Sequence, residues 1–124
     1  MSRKTRIILG GSEGRMGYVI RELAAKSDDI EVVYGFDPRL DDLKNFSDIA
    51  RLGKELNKTA DVYLDFTVPE AVVHNVEDAS SMGLDSVIGT TGWYDRLEDL
   101  KNIALKYRRR ILYAPNFSPG VNVF

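Results

Sequence analysis

Three glycines spaced three residues apart, Gly11, Gly14 and Gly17, follow a short aliphatic run and precede a segment with helical spacing of apolar residues. A strand that turns sharply into a helix presents unpaired N–H groups and the positive end of the helix dipole, which bind phosphate. Gly11 permits the turn, Gly14 leaves room for a phosphate, and Gly17 removes the side chain where helix and strand cross. The spacing predicts a pyrophosphate site, although glycine also collects in ordinary turns.

A carboxylate follows this loop at a distance that suits nucleotide binding. Asp37 comes 20 residues after Gly17, at the end of the second predicted strand. An acidic side chain there accepts hydrogen bonds from the hydroxyls of an adenosine ribose. The alternative is a turn-forming aspartate before Pro38.

Two later loops carry groups suited to the other end of a dinucleotide. The segment Gly89–Gly92 offers a flexible backbone and two threonine hydroxyls, or else leads into a helix capped by Thr91 or Asp95. The amide of Asn116 could bond a carboxamide and the ring of Phe117 could pack on nicotinamide. A structural turn is an alternative for these last two residues.

Three polar features are interpreted as structural. Asp65 ends a buried strand and is expected to fix the next loop through backbone hydrogen bonds. His74 lies inside a predicted helix and is expected to be a partly exposed helix residue. The run Arg108–Arg110 follows a predicted helix and complements the negative end of its dipole, with a phosphate-binding patch as the alternative.

The elements that position these loops alternate between strands and amphipathic helices. The predicted strands are Ile7–Leu9, Ile30–Phe36, Asp61–Phe66, Ser86–Ile88 and Ile111–Tyr113. Each of the four predicted helices has its own signal. The first has an apolar face of Met16, Val19, Ile20, Leu23 and Ala24. The second is capped at Ser47-Asp48, the third starts at Pro69, and the fourth has an apolar face that begins at Leu97. This alternation predicts an α/β fold with a doubly wound parallel sheet of Rossmann type, in which strand-end loops converge on one crevice.

Composition limits the classes of function. A chain of 124 residues with 44% hydrophobic and 29% charged residues is typical of a single globular domain. A net charge of −2 gives no indication of nucleic-acid or anionic-membrane partners. The absence of cysteine and the single histidine exclude thiolate and multi-histidine metal sites. No apolar run suits a signal peptide or a membrane span, so a cytoplasmic location is expected.

Four segments together resemble the dihydrodipicolinate reductase family, whose members are also called 4-hydroxy-tetrahydrodipicolinate reductases. They are Gly11–Gly17, Asp65–Glu70, Gly89–Gly92 and Asn116–Val123, and they follow the family order and spacing over essentially the whole chain. The resemblance implies an oxidoreductase of the diaminopimelate route of lysine (amino-acid) biosynthesis. Such enzymes use NADH or NADPH to reduce a cyclic unsaturated imine dicarboxylate and are usually homotetramers.

The resemblance also implies which residues contact the dinucleotide. On the pyrophosphate and ribose side these are Gly11, Ser12, Glu13, Gly14, Arg15, Met16 and Asp37. On the nicotinamide side they are Gly89, Thr90, Thr91, Ala114, Pro115, Asn116 and Phe117. Phe66 and Thr67, which follow the third strand, are expected in the same crevice. No catalytic residue and no metal ligand is expected in this chain.

Departures from the family pattern shape the remaining expectations. Glu13 adds a negative charge to the phosphate loop, and Pro38 stands where members that accept NADPH often carry arginine. Because Asp37 lies where a 2′-phosphate would sit, a slight preference for NADH is expected.

The family's second domain, with its His-His-Arg and Ser-Gly-Thr segments, is not found before Phe124. Residues 1–124 are thus expected to form the dinucleotide-binding domain alone and to be inactive. The alternatives are a stand-alone nucleotide-binding or redox-sensing module and another oxidoreductase of this fold, such as an amino-acid dehydrogenase.

Overall fold

The computed structural model describes residues 3–56, 60–114 and 122–123. The strands are β1 (Thr5–Gly10), β2 (Ile30–Phe36), β3 (Val62–Asp65), β4 (Asp85–Ile88), β5 (Ile111–Tyr113) and β6 (Asn122–Val123). The helices are α1 (Arg15–Lys26), α2 (Phe46–Leu56), α3 (Val72–Ser81) and α4 (Leu97–Tyr107), and short 3₁₀ turns at Pro69–Ala71 and Tyr94–Arg96 lead into α3 and α4. The five predicted strands and four predicted helices are therefore present.

The strands form one sheet in the order β2-β1-β3-β4-β5-β6. Strands β1 to β5 pair in parallel, which confirms the predicted Rossmann-type α/β fold. Strand β6, which was not predicted from the sequence, pairs antiparallel with β5 at the edge of this parallel sheet. Its two residues are too short to give a pattern that sequence reasoning could detect. The strand order reverses direction between β1 and β3, which is where ligands bind in sheets of this kind.

The two faces of the sheet are covered unequally. Right-handed crossovers place α1 on one face and α2, α3 and α4 on the other. The main buried cluster lies under those three helices and includes Phe46, Tyr63, Val76, Trp93 and Leu100. Along β3 and β4, buried residues alternate with half-buried ones, because the second face carries less cover.

The apolar face predicted for α1 is less buried than its spacing suggests. Gly17 is the one fully buried residue of this helix, whereas Met16, Val19 and Leu23 are 39%, 40% and 56% exposed. The reason is geometric: α1 is alone on its face and contacts mainly β2. Among the described residues, no helix is long and apolar enough to cross a membrane.

Helix α2 begins at Phe46, one residue before the predicted Ser47-Asp48 cap. Asn45 precedes the helix and its Oδ1 accepts a hydrogen bond from the N–H of Asp48 at 3.1 Å. In return, Oδ2 of Asp48 accepts from the N–H groups of Lys44 and Asn45 at 2.9 and 3.2 Å. This reciprocal capping box replaces the predicted Ser47-Asp48 cap. It also fixes the end of the loop that follows β2.

Candidate dinucleotide-binding site

The turn after β1 requires glycine at its first position. Gly11 has a φ of +80°, and a Cβ there would lie 2.1 Å from the carbonyl oxygen of Phe66. The N–H groups of Gly11 and Ser12 donate to the carbonyl of Phe36 at 2.9 and 3.1 Å, which ties the loop to the end of β2. The predicted turn function of Gly11 is confirmed.

Gly14 and Gly17 act at different surfaces of this loop. Gly14 precedes α1 with an extended backbone, and no side chain caps that end of the helix. A Cβ on Gly14 would meet nothing closer than the Gly11 carbonyl oxygen at 3.4 Å. A Cβ on Gly17 would lie 2.2 Å from that same oxygen, so Gly17 lets the helix approach the loop rather than the strand. The prediction that Gly17 lies where the helix crosses the strand is therefore wrong. The N-terminus of α1 at Gly14 has no side-chain cap and remains open.

Asp37 is buried at the end of β2 and organises the turn that follows. Its Oδ1 accepts from the N–H of Arg39 at 3.0 Å, and its Oδ2 accepts from the N–H of Glu13 at 3.1 Å. Its carbonyl accepts from the N–H of Leu40 at 3.0 Å. The turn-forming interpretation of Asp37 is therefore correct. Because Oδ2 accepts only this one bond among the described residues, its second lone pair can still accept a hydroxyl.

Arg39 crosses the phosphate loop beside Asp37. Its Nη1 donates to the carbonyl of Glu13 at 2.8 Å, and its Nε lies 3.1 Å from Oδ1 of Asp37. Its side chain stays 68% exposed. The carboxylate of Glu13 turns away from this contact, accepting from the Ser12 hydroxyl at 3.2 Å and lying 3.9 Å from Arg21 on α1. The negative charge that Glu13 adds to the loop is therefore partly balanced by Arg21.

A cavity of about 270 Å³ opens next to this arginine. Its walls come from the ends of β1 and β2, the loop before α2, and the start of α3. They are Gly11, Phe36, Asp37, Pro38, Arg39, Lys44, Asn45, Thr67, Val68, Ala71 and Asn75. The volume is just below the ~300–1,000 Å³ of pockets that enclose a drug-sized ligand. The cavity therefore suits one part of a dinucleotide.

Sequence reasoning missed several of these wall residues. Lys44 and Asn45 come just before the predicted cap at Ser47-Asp48, and Val68 and Ala71 flank the predicted helix start at Pro69, so their positions gave them no binding function. Asn75 carried a usable signal, because it is a polar residue one turn after Val72 on the buried face of α3 and is 3% exposed.

A buried carboxylate joins the strand ends in the middle of the site. Oδ1 of Asp65 accepts from the hydroxyls of Thr67 and Thr90 at 2.6 and 2.7 Å and from the Thr67 N–H at 3.0 Å. Oδ2 accepts from the Tyr63 hydroxyl at 2.6 Å and from the Asn75 amide at 3.4 Å. Burial raises the pKa of Tyr63, so this hydroxyl keeps its proton at neutral pH. The predicted function of Asp65 in fixing the next loop is confirmed, and side chains do more of it than the backbone. We call Asp65 with these four partners the Asp65 cluster.

The loop after β4 is fixed by the same residue. The N–H groups of Gly89 and Thr90 donate to the carbonyl of Asp65 at 2.8 and 3.2 Å, and Trp93 donates to the carbonyl of Thr90 at 2.6 Å. Of the two hydroxyls expected beside a cofactor, that of Thr90 instead points inward to Asp65, while Thr91 is exposed. Neither Thr91 nor Asp95 caps the following helix.

The remaining candidate residues lie away from the cavity or outside the described residues. Ala114 is buried at the end of β5, whereas Pro115, Asn116 and Phe117 lie outside the described residues. His74 is exposed on α3, 3.3 Å from Asp78, as expected of a helix surface residue. Among the described residues, no group of histidine and carboxylate side chains could hold a metal ion.

The arginine run also serves the fold. Arg108 ends α4 with a left-handed backbone (φ 54°). Arg109 donates to the carbonyl of Gly83 at 2.7 Å, and Arg110 lies 3.4 Å from the carboxylate of Asp85. These contacts favour the structural interpretation over a phosphate patch.

Comparisons with known proteins agree with this geometry. The profile of the family described as "Dihydrodipicolinate reductase, N-terminus" matches residues 5–117. The 4-hydroxy-tetrahydrodipicolinate reductases of Archaeoglobus fulgidus and Christiangramia forsetii are 36% and 38% identical, over 96% and 90% of this chain. The chain covers 48% and 42% of these relatives, so it spans about half their length.

Solved structures show the same relationship. The dipicolinate-bound dihydrodipicolinate reductase from Paenisporosarcina sp. TG-14 has a TM-score of 0.71 at 25% identity, over 93% of this chain and 48% of that one. An NAD-binding protein from Listeria innocua shares the fold, with a TM-score of 0.61 at 20% identity over 90% of this chain and 34% of that one. Fold, site geometry and sequence agree, and the chain belongs to the dihydrodipicolinate reductase family, of which it represents the N-terminal, dinucleotide-binding domain.

Proposed function

We propose that this chain is the NAD(P)H-binding half of a reductase that transfers a hydride to a cyclic unsaturated imine dicarboxylate in the diaminopimelate route to lysine. One observation carries the proposal. The open N-terminus of α1 above Gly14 adjoins the cavity beside Asp37 and Arg39, at the point where the strand order reverses. An anion site next to a nucleoside-sized cavity is what a dinucleotide requires.

The residues present fit such a cofactor. The uncapped N-terminus of α1 at Gly14 leaves space for a pyrophosphate. Arg15 and Arg39 bring positive charge to the same loop. Asp37 would accept from the ribose hydroxyls, and the cavity would take the adenosine. The loop from Gly89 to Thr91, with Ala114 to Phe117, would line the nicotinamide side. The bound dinucleotide supplies the hydride, and the chain orients it.

Both NADH and NADPH should be accepted, with NADH slightly preferred. Two negative charges about 4 Å apart repel by roughly 1–4 kcal/mol, depending on how much water screens them. Asp37 therefore disfavours a 2′-phosphate. Arg39 already lies 3.1 Å from that carboxylate and offsets part of the repulsion. The result is a modest difference rather than an exclusive choice.

Reduction itself also requires a proton donor and groups that hold the substrate carboxylates. Proton donors and carboxylate clamps for a dicarboxylate substrate are assigned to the half of the relatives that this chain does not match. In that proposal the complete enzyme works in the cytoplasm as a homotetramer, and this chain alone binds the cofactor without turning over substrate.

Calorimetry of the chain with NADH and NADPH, together with an assay for oxidation of NADH by the dihydrodipicolinate precursor, tests the proposal. Saturable binding of both dinucleotides with no turnover is expected. Folded protein that binds neither would refute the proposed cofactor site. Turnover at an enzymatic rate would refute the assignment of catalysis to the other half.

A further inference from the structure

We propose that Asp65 is a positioning residue that holds the two halves of the dinucleotide site in register without touching the cofactor. This inference rests on the proposed function and adds to it an assignment for a carboxylate that faces no cation among the described residues. Asp65 is fully buried, at the end of the strand between the phosphate loop and the loop after β4.

The first half of the site is braced through Thr67. Its hydroxyl and its N–H both donate to Oδ1 of Asp65, at 2.6 and 3.0 Å. Thr67 lines the cavity beside Asp37, and the preceding carbonyl, that of Phe66, packs against Gly11 so closely that no Cβ fits between them. Asn75, another wall residue, reaches the second oxygen of Asp65 at 3.4 Å. Loss of these bonds would release one wall of the adenosine cavity.

The second half is braced through Thr90. Its hydroxyl donates to the same Oδ1 of Asp65 at 2.7 Å, and its N–H reaches the Asp65 carbonyl at 3.2 Å. Trp93 holds the Thr90 carbonyl from the other side at 2.6 Å. With its hydroxyl, N–H and carbonyl all bonded within the fold, Thr90 acts by fixing the backbone from Gly89 to Thr91.

This arrangement offers a matched pair of substitutions. Thr67→Val and Thr90→Val each remove one hydroxyl whose short hydrogen bond goes to the same atom, Oδ1 of Asp65, at 2.6 and 2.7 Å. The two variants therefore disturb Asp65 alike but release opposite walls of the site. Ser81→Ala removes a hydroxyl that donates to the Asp78 carbonyl on α3, outside the Asp65 cluster, and serves as the control.

The test measures the binding of two half-ligands, ADP and reduced nicotinamide mononucleotide, by calorimetry, with folding checked by chemical denaturation. Thr90→Val should weaken reduced nicotinamide mononucleotide about tenfold, or about 1.4 kcal/mol, and leave ADP unchanged. Thr67→Val should do the reverse, and Asp65→Asn should weaken both. Ser81→Ala should match wild type.

Several results would overturn the inference. Equal weakening of both half-ligands by each threonine variant would mean that the cluster supports only the general fold. Wild-type affinities in both threonine variants would mean that the site keeps its shape without the cluster, a conclusion that stands even if Asp65→Asn does not fold. If wild-type protein binds no NADH at all, the proposed function fails as well.

Discussion

Two glycines of the phosphate loop, Gly14 and Gly17, should respond to substitution in opposite ways. Gly14 has an ordinary extended backbone, and a Cβ there meets the Gly11 carbonyl oxygen at 3.4 Å and the exposed Arg39 guanidinium at 3.7 Å. Gly14→Val reduces the conformational freedom of the unfolded chain, which stabilises the folded state by about 0.4–1 kcal/mol. Loss of glycine before the helix costs up to about 1 kcal/mol. The free energy of unfolding should therefore stay within about 1 kcal/mol of wild type.

Affinity for NADH should nevertheless fall at least tenfold in Gly14→Val. The added methyl groups would occupy the space above the N-terminus of α1, where the pyrophosphate has to approach the backbone. A tenfold loss corresponds to about 1.4 kcal/mol. NADH fluorescence titration measures this loss, and urea denaturation measures the stability of the same preparation.

Gly17→Ala provides the contrast within the same loop. Its Cβ would lie 2.2 Å from the Gly11 carbonyl oxygen and 2.7 Å from the Ser12 backbone, and backbone atoms cannot rotate away. Overpacking of this severity costs about 3 kcal/mol, against about 1 kcal/mol gained from the helix propensity of alanine. A net loss of about 2 kcal/mol in stability is expected. The reasoning is wrong if folded Gly14→Val binds NADH like wild type, or if Gly17→Ala is as stable as wild type.

Other predictions concern the ribose carboxylate and acid stability. Asp37→Ala should weaken NADH and spare or improve NADPH in paired titrations, and wild-type protein that binds NADPH tenfold tighter would show that Arg39 outweighs Asp37. The pKa of Asp61 is lowered from its ordinary value of 3.8, mainly by the Arg6 N–H and also by the charges of Arg3 and Arg6. Its stabilisation is present above that value and is lost as the pH falls through the lowered pKa in the folded state. Urea denaturation of Asp61→Asn should therefore show a shallower loss of stability below about pH 4, and a loss as steep as in wild type would contradict this.

The fold could be predicted because its signals are local. Aliphatic runs such as Ile30–Phe36 and Ile111–Tyr113 coincide with β2 and β5 to the residue. Helix starts were harder, since the cap of α2 depends on a side chain of Asn45 that no apolar periodicity marks. Strand β6 is set by pairing with β5 and not by its own two residues.

The position of the candidate site could be predicted from the sequence, but its side-chain contacts could not. The glycine spacing and Asp37 predict a site at the edge of the sheet where the cavity beside Arg39 lies. The direction of the Thr90 hydroxyl, the crossing of Arg39 over Glu13, and the placement of Asn75 in the cavity wall depend on packing between distant segments. Such contacts leave no regular spacing in the sequence.

Backbone amide NMR of ¹⁵N-labelled chain during titration with NADH tests most directly whether the strand-end loops bind a dinucleotide. The largest shifts should fall on Gly11–Met16, on the turn after Asp37, and on Gly89–Thr91. The surface of α3 and α4 around His74 and Lys106 should change little. Shifts concentrated on that helical surface, or no saturable shifts in folded protein, would contradict a dinucleotide site at this edge of the sheet.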